Sequence, residues 1–116
     1  MLFFLTKRIT CGGMTMPVSK TQDIQKQIYE NKLDKGFNVT NIELEFCLTQ
    51  GELAEAYDVY RKKLPTVGEE LADVAIYLYG LAEILGYNLD DEIEKKVKKN
   101  KDRIYKLVNG VQMKQE

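Results

Sequence analysis

Apolar side chains recur every three or four residues along most of the chain, the spacing of one face of an α-helix. Together with glycine, proline and capping signals, this pattern predicts four helices, over residues 20–35, 40–63, 66–85 and 89–109. No stretch alternates apolar and polar residues for long enough to predict a β-strand. Short connections between long helices favour antiparallel neighbours. We therefore predict an all-α fold, a four-helix antiparallel bundle.

The ends of the predicted helices carry recognisable signals. Gly36 follows the first helix, and Gly86 is suited to the position just beyond the third. Thr40–Glu43 and Thr66–Glu69 each have the spacing of a capping box, which marks a helix start. Acids follow Asn88 in the first turn of the fourth helix, where the helix dipole favours negative charge.

The apolar faces of the last three helices define an expected core. A chain of this size buries a modest core by itself, and pairing with a second copy would enlarge it. The expected core residues are Ile42, Phe46, Leu53, Ala56, Tyr57 and Tyr60 on the second helix, Val67, Leu71, Val74, Leu78, Leu81 and Leu85 on the third, and Ile93, Val97, Ile104 and Leu107 on the fourth.

The length of 116 residues fits one domain. Residues 19–109 carry the helical pattern, and residues 110–116 read as a loose C-terminal tail. Residues 1–18 match no predicted element. We interpret them as an N-terminal extension that is either disordered or precedes a true start at Met14 or Met16.

Carboxylates fall within or beside the expected apolar faces. Glu45, Glu52 and Glu55 project within the apolar sector of the second helix, and Glu70 and Asp73 flank that of the third. Burying a carboxylate is costly unless it is paired or binds a metal. Two carboxylates about 5 Å apart repel by roughly 3 kcal/mol at an effective dielectric near 20. Because oxygen ligands favour Mg²⁺ or Mn²⁺, the pattern predicts a site for such a cation. The alternative is that these acids lie hydrated at the bundle edge.

The fourth helix offers groups that suit phosphate. Asn100 falls inside its apolar stripe, with Lys96 and Arg103 beside it. Lysine and arginine bind phosphate oxygens as a point charge and as a fork, and asparagine can orient them. Tyr77 on the third helix is a candidate wall for a nucleotide base. The alternatives are a solvated lysine-rich face and ordinary core packing.

Composition excludes several classes of function. The chain has no histidine, which removes histidine-based catalysis and the commonest zinc ligand. Its net charge of −1 gives no basic field for a nucleic-acid polymer. The apolar run in the first five residues is too short to span a membrane. Cys11 and Cys47 fit no CxxC pattern, which favours a reduced, cytoplasmic protein.

Four segments of the chain form an ordered set of motifs. Gly51–Ala56 reads GELAEA, and Glu69–Leu78 reads EELADVAIYL. Leu81–Leu89 contains a turn, and Lys96–Arg103 has the pattern KxxxNxxR. In this order, the four segments resemble the motifs of the MazG-like nucleotide pyrophosphohydrolases. The resemblance covers roughly residues 35–105, and the ordered combination is more specific than any single motif.

The resemblance implies an all-α, oligomeric protein, a homodimer or a tetramer built of dimers. It also implies an Mg²⁺-dependent hydrolase, with Mn²⁺ as an alternative ion. Such an enzyme splits (deoxy)nucleoside triphosphates to monophosphate and pyrophosphate as house-cleaning of the nucleotide pool. Carried over residue by residue, the metal ligands are Glu52, Glu70 and Asp73, and the substrate-binding residues are Tyr77, Lys96 and Asn100, with Arg103 beside them.

One position departs from the family pattern. The first acid of the ExxE pair falls on Thr49, which carries no charge. Thr49 could hold a metal-bound water, and Glu45 or Glu55 on the same helix could replace the missing ligand. A carboxylate such as Glu55 or Glu45 would also accept the proton of the attacking water.

Three alternatives therefore stay open beside hydrolysis of common nucleotides. The first is a catalytically weak or inactive relative that binds nucleotide, and the second is a structural helical dimerisation module. The third is a phosphoribosyl-ATP pyrophosphohydrolase, from a related all-α family. The metal-site hypothesis requires Glu52 to lie close to Glu70 or Asp73, in one chain or across a symmetric pair.

Overall fold

The computed structural model describes residues 10–11, 14–15 and 20–115. Within them, four helices are followed by a two-stranded antiparallel hairpin. The helices are α1 (Lys20–Lys35), α2 (Ile42–Arg61), α3 (Val67–Leu85) and α4 (Leu89–Asp102), and the strands are β1 (Thr10–Cys11), β2 (Met14–Thr15), β3 (Ile104–Val108) and β4 (Val111–Gln115). No helix among the described residues has the length and apolar character that a membrane crossing needs.

The expectation for residues 1–18 lies mostly outside the described residues. The exceptions are β1 and β2, which pair antiparallel with Thr10 opposite Thr15 and Cys11 opposite Met14.

The predicted helix signals are correct in part. Gly86 has a φ of 84°, the left-handed conformation that ends α3 as expected. The cap of α2 is Asn41 and not Thr40, because the Asn41 side chain accepts a hydrogen bond from the Leu44 amide at 3.1 Å. Thr66 precedes α3 as predicted, but its side chain makes no capping hydrogen bond.

Helix α3 is the central element, because α1 and α2 both pack against it. Helix α1 runs antiparallel to it, because Gln25 near the start of α1 reaches Glu83, whereas Lys32 near its end reaches Gly80. Helix α2 also runs antiparallel to α3, because Glu45 near its start shares Lys32 with Tyr77, whereas Glu55 farther along lies beside Glu70. The absence of a side chain at Gly80 allows this approach, since a Cβ there would lie 3.3 Å from the Lys32 stem. The buried apolar residues of the described chain are Ile28, Ala56, Leu81 and Ala82.

Gln25 fixes α1 to the turn between α3 and α4. Its buried side-chain amide donates to the Glu83 carboxylate at 2.9 Å and to the Tyr87 carbonyl at 2.8 Å. Its side-chain oxygen accepts from the Leu89 amide at 3.1 Å. Three hydrogen bonds from one side chain thus set where α4 begins relative to α1.

A buried ion pair joins α1 to α2, whose backbones do not contact each other in the described chain. The Lys32 Nζ atom lies 2.6 Å from Glu45 Oε1, and only 1% of the Glu45 side chain is exposed. Asn38 donates to the other Glu45 oxygen at 3.0 Å. The Lys32 ammonium also lies 5.4 Å from the centre of the Tyr77 ring on α3. Three helices therefore meet at one neutralised pair of charges.

The predicted extent of the fourth helix was wrong. Helix α4 ends at Asp102, and Ile104 to Gln115 form the β3–β4 hairpin. Asn109 and Gly110 have φ values of 50° and 80° and form its two-residue turn. This dipeptide is a strong hairpin signal when β-branched and aromatic residues flank it, whereas the prediction took it for the end of a fading helix.

The expected core does not close within one chain. Ala56 and Leu81 are buried, but Leu53, Tyr57 and Leu71 each expose more than half of their surface. Helix α4 has no buried residue, and Asn100 is exposed and not within an apolar interface. Ile104 and Leu107 belong to β3. The four helices are confirmed, but the apolar faces of α2 and α3 are left largely uncovered.

We expect the Lys32–Glu45 pair to affect stability most when only one of its two residues is replaced. Lys32→Met leaves a buried carboxylate without its cation and should lower the free energy of unfolding by about 3–5 kcal/mol. Lys32→Met combined with Glu45→Leu should cost clearly less than the sum of the two single changes. Urea unfolding followed by circular dichroism measures this.

Lys62→Met is the matched control, because Lys62 pairs with Asp58 at 2.8 Å on an exposed surface. It should cost less than about 1 kcal/mol. Equal losses for Lys32→Met and Lys62→Met would contradict a special role for the buried pair.

Candidate metal site

Carboxylates from α2 and α3 converge where these antiparallel helices face each other. Glu52 and Glu55 lie one turn apart on α2, and Glu70 lies in the first turn of α3. One carboxylate oxygen from each of the three lies within 4.8 Å of the others. We call Glu52, Glu55 and Glu70 the carboxylate cluster. Its formation meets the requirement that Glu52 lie close to Glu70.

The cluster is electrostatically unfavourable without a cation. The pKa of Glu52 is raised from 4.5 to about 7, first by burial, then by a hydrogen bond with Glu55 and by the charges of Glu55, Asp73 and Glu70. One Glu52 oxygen is buried without a hydrogen-bond partner. A buried, unpaired carboxylate oxygen is costly and is a suitable ligand for a hard cation.

No lysine or arginine among the described side chains forms an ion pair with the cluster. The nearby Lys32 is bound by Glu45, and Arg61 and Lys62 are bound by Asp58. Those two cations hold the pKa of Asp58 below its usual value. The negative charge of the cluster is therefore not compensated by any described lysine or arginine side chain.

Other predicted α2 and α3 residues lie around the cluster. Asp73 is exposed and outside the closest group, yet near enough for its charge to raise the pKa of Glu52. Burial raises the pKa of the Tyr77 hydroxyl, and the charges of Glu52 and Glu45 add to this. Tyr77 therefore stays protonated at neutral pH and can donate a hydrogen bond toward these acids.

Two further candidate ligands are already engaged. Both oxygens of Glu45 are bound, one by Lys32 and the other by Asn38. The Thr49 hydroxyl donates to the backbone carbonyl of Glu45 at 2.7 Å, so its hydrogen points back along α2. Glu55, which is exposed and belongs to the cluster, is the better placed of the suggested replacements for the family acid.

The predicted phosphate-binding residues are not brought to the cluster within the chain. Helix α4 contacts α1 and α3 but makes no contact with α2 in the described part of the protein. Lys96 is exposed, and Arg103 donates to the Asn100 side chain at 2.8 Å. Arg103 lies just beyond α4 and forms its C-cap.

An open cleft of about 450 Å³ adjoins the cluster. Its lining residues are Ala54, Glu55, Asp58, Val59 and Glu70. Two cluster members thus face a space that can admit a small polar ligand. The site consists only of oxygen donors, which fits Mg²⁺ or Mn²⁺ and not a soft metal.

The sequence did not indicate the charges that border this site. Lys32 lies one turn after the core residue Ile28 on the buried face of α1, and this spacing was the available signal. Nothing in the sequence pattern paired Lys32 with Glu45 or placed Asn38 against the same carboxylate. Glu45 was consequently grouped with the metal-binding acids, although it neutralises a lysine.

Metal-free stability should depend on the protonation of Glu52. Its pKa is higher in the folded chain, about 7, than in the unfolded chain, so the folded state binds a proton that the unfolded state has lost. The titration of Glu52 should therefore lower the free energy of unfolding as pH rises from about 4.5 to 7. Glu52→Gln should remove this dependence of the free energy of unfolding on pH. Urea unfolding of chelator-treated protein at a series of pH values measures it.

Glu43→Gln is the control, because Glu43 is an exposed acid on the same helix and should leave this dependence unchanged. Mn²⁺ should raise the melting temperature more at pH 8 than at pH 6, since protons and the cation compete for Glu52. An Mn²⁺ effect that is the same at both pH values, or unaltered by Glu52→Gln, would contradict this assignment.

Comparison with known proteins identifies a family model that matches most of the chain. The model of a family described as the MazG-like family matches residues 38–115, which is more than half of the chain. The matched segment contains α2, α3, α4, the carboxylate cluster and the β3–β4 hairpin. Searches of curated proteins and of solved structures give no match.

Proposed function

The chain belongs to the MazG-like family, and from this premise we propose that it hydrolyses (deoxy)nucleoside triphosphates to monophosphate and pyrophosphate. The observation that carries the proposal is the carboxylate cluster, in which three acids lie within 4.8 Å and lack a cationic partner in the described chain. In a chain of this family, such a cluster supports a divalent-cation site that binds a polyphosphate.

Glu52, Glu55 and Glu70 would hold Mg²⁺, with Asp73 as the next carboxylate of the same surface. A cation held there would supply charge neutralisation for the departing pyrophosphate and would lower the pKa of an attacking water. Glu52 contributes the buried oxygen that has no hydrogen-bond partner. Glu55 takes the place of the absent family acid at Thr49.

Proton transfer is best assigned to the α2 carboxylates that face the cleft. Glu45 is unsuitable, because Lys32 and Asn38 occupy its oxygens and its side chain is buried. Glu55 lines the cleft and shares a hydrogen bond with Glu52, so its carboxylate faces the space in which an attacking water would lie. Glu55 is therefore our candidate to accept the proton of the attacking water.

The substrate-binding residues are expected to act across a pair of chains in the cytoplasm. Lys96, Asn100 and Arg103 lie on or just after a helix that does not contact α2 in the described chain. Exposed apolar residues on α2 and α3, among them Leu53 and Leu71, support association of two copies. A second copy could bring its α4 toward the cleft, with Tyr77 donating from the opposite side.

We expect Glu70→Gln to abolish pyrophosphate release, because it removes one of three clustered ligands. Asp73→Asn should weaken the activity strongly as well, with little change in helical circular dichroism. The assay is a panel of ribo- and deoxynucleoside triphosphates with Mg²⁺, read by pyrophosphate release. The panel should include phosphoribosyl-ATP.

Glu69→Gln is the matched control, since Glu69 is the exposed neighbour of Glu70 in the same helical turn. It should retain activity near that of the wild type. Full activity of Glu70→Gln, or equal losses in both variants, would contradict a role of the cluster in the reaction.

A second candidate function is nucleotide binding with weak or no turnover. It is favoured by Thr49, whose hydroxyl is committed to the Glu45 carbonyl and which supplies no charge. Thr49→Glu then should raise turnover about tenfold or more, because one further ligand strengthens metal binding. Isothermal titration with a non-hydrolysable triphosphate separates binding from turnover, and Thr49→Gln serves as the uncharged control.

If wild-type turnover is substantial and Thr49→Glu lowers it, Glu55 already completes the site and the binding-only function is wrong. Absence of any Mg²⁺ or Mn²⁺ effect on melting temperature would instead support a structural dimerisation module, which the exposed apolar faces of α2 and α3 also allow.

A further inference from the structure

The β3–β4 hairpin extends beyond the end of α4. Its backbone does not approach the backbone of any helix in the described chain, and every residue from Ile104 to Gln115 is exposed. A two-stranded hairpin by itself is marginally stable in water. It therefore requires a surface to pack against, and its own chain does not provide one among the described residues.

The strand register gives the hairpin an apolar face that includes one lysine. Val108 pairs with Val111, and Lys106 pairs with Met113, so these side chains project from the same face. Ile104 lies on this face as well, two residues before Lys106. We call Ile104, Lys106, Val108, Val111 and Met113 the docking face of the hairpin.

The charge of this segment complements that of the α2–α3 surface. Residues 103–115 contain three lysine or arginine residues and no aspartate or glutamate. The α2–α3 surface presents Glu55 and Glu70 at the cleft beside exposed apolar residues such as Leu53. A cationic, apolar arm and an acidic, apolar surface are thus both exposed on the same chain.

We propose that the hairpin of one chain packs its docking face across α2 and α3 of a second copy and brings Lys106 to that copy's carboxylate cluster. This rests on the pairing of two chains proposed above. Each strand has five residues and so is about 16 Å long, which exceeds the distance of about 10 Å between the axes of two packed helices. The contact covers apolar residues on both partners.

Lys106 would then lie beside the carboxylate cluster, which has no lysine or arginine partner among the described side chains. Its ammonium would be a point charge suited to a polyphosphate oxygen at that site. The substrate site would be complete only when a second copy contributes its hairpin. Lys106 is accordingly a residue that binds phosphate in trans, distinct from the lysine on α4.

A zero-length carbodiimide cross-link tests this contact without nucleotide or metal. Equal amounts of ¹⁴N- and ¹⁵N-labelled full-length chains are mixed, cross-linked and digested, and the linked peptides are identified by mass spectrometry. We expect links of Lys106 to Glu55 or Glu70 that combine the two isotopes, which identifies them as inter-chain. If Lys106 gives no mixed-isotope link to α2 or α3, the proposal is wrong.

Two aspartate substitutions on one strand sharpen the test. Val108→Asp places a charge on the docking face and should reduce the mixed-isotope link at least about tenfold, the effect of 1.4 kcal/mol. Leu107→Asp places the same charge on the opposite face and should leave the link intact. Circular dichroism checks that both variants keep their helices, and an equal effect of the two substitutions would overturn the assigned docking face.

The two proposals can fail separately. A preserved Lys106 link in a chain that releases no pyrophosphate would support the docking and reject the reaction. Pyrophosphate release without any Lys106 link would reject the docking alone.

Discussion

Three carboxylates on two antiparallel helices lie within 4.8 Å of one another, and burial together with the charges of Glu55 and Glu70 raises the pKa of Glu52. At such distances, repulsion between two charges is about 1–3 kcal/mol, depending on how far water screens them. The fold holds the acids in place because α2 and α3 are packed together by residues such as Ala56. The bundle thus holds the carboxylates in positions where they repel one another. Binding of a proton or a divalent cation would reduce this repulsion.

Two acids in this region, Glu45 and Glu52, differ in whether a described lysine or arginine pairs with them. Glu45 is the most buried acid described, and its charge is neutralised by Lys32 and supported by Asn38. Glu52 lies two turns later on the same helix, yet no lysine or arginine of the described chain pairs with it. Because Glu45 binds Lys32, that ammonium is kept from the cluster, which remains available for an added cation.

Helix positions could be predicted from the sequence because they depend on local periodicity and on end signals such as Gly86. The convergence of Glu52 and Glu70 also followed from local spacing, since each acid lies near an apolar stripe on consecutive helices. The Lys32–Glu45 pair could not be predicted, because it depends on how α1 and α2 are placed around α3. The hairpin was missed because its strands are short and an Asn-Gly turn resembles a helix end. The expected core was overestimated, since apolar spacing indicates a face such as that of Leu53 but does not show whether the same chain covers it.

Gly80, which has no side chain, links the packing of α1 against α3 to the Lys32–Glu45 pair. A methyl group there would press on the Lys32 stem, which would have to shift by a few tenths of an ångström. Since the ammonium of Lys32 is bound to Glu45 and lies over Tyr77, the shift would alter contacts made by all three helices. The spacing between α1 and α3 therefore sets the position of a charge that belongs to α2, and a single carbon atom at their crossing would be enough to disturb it.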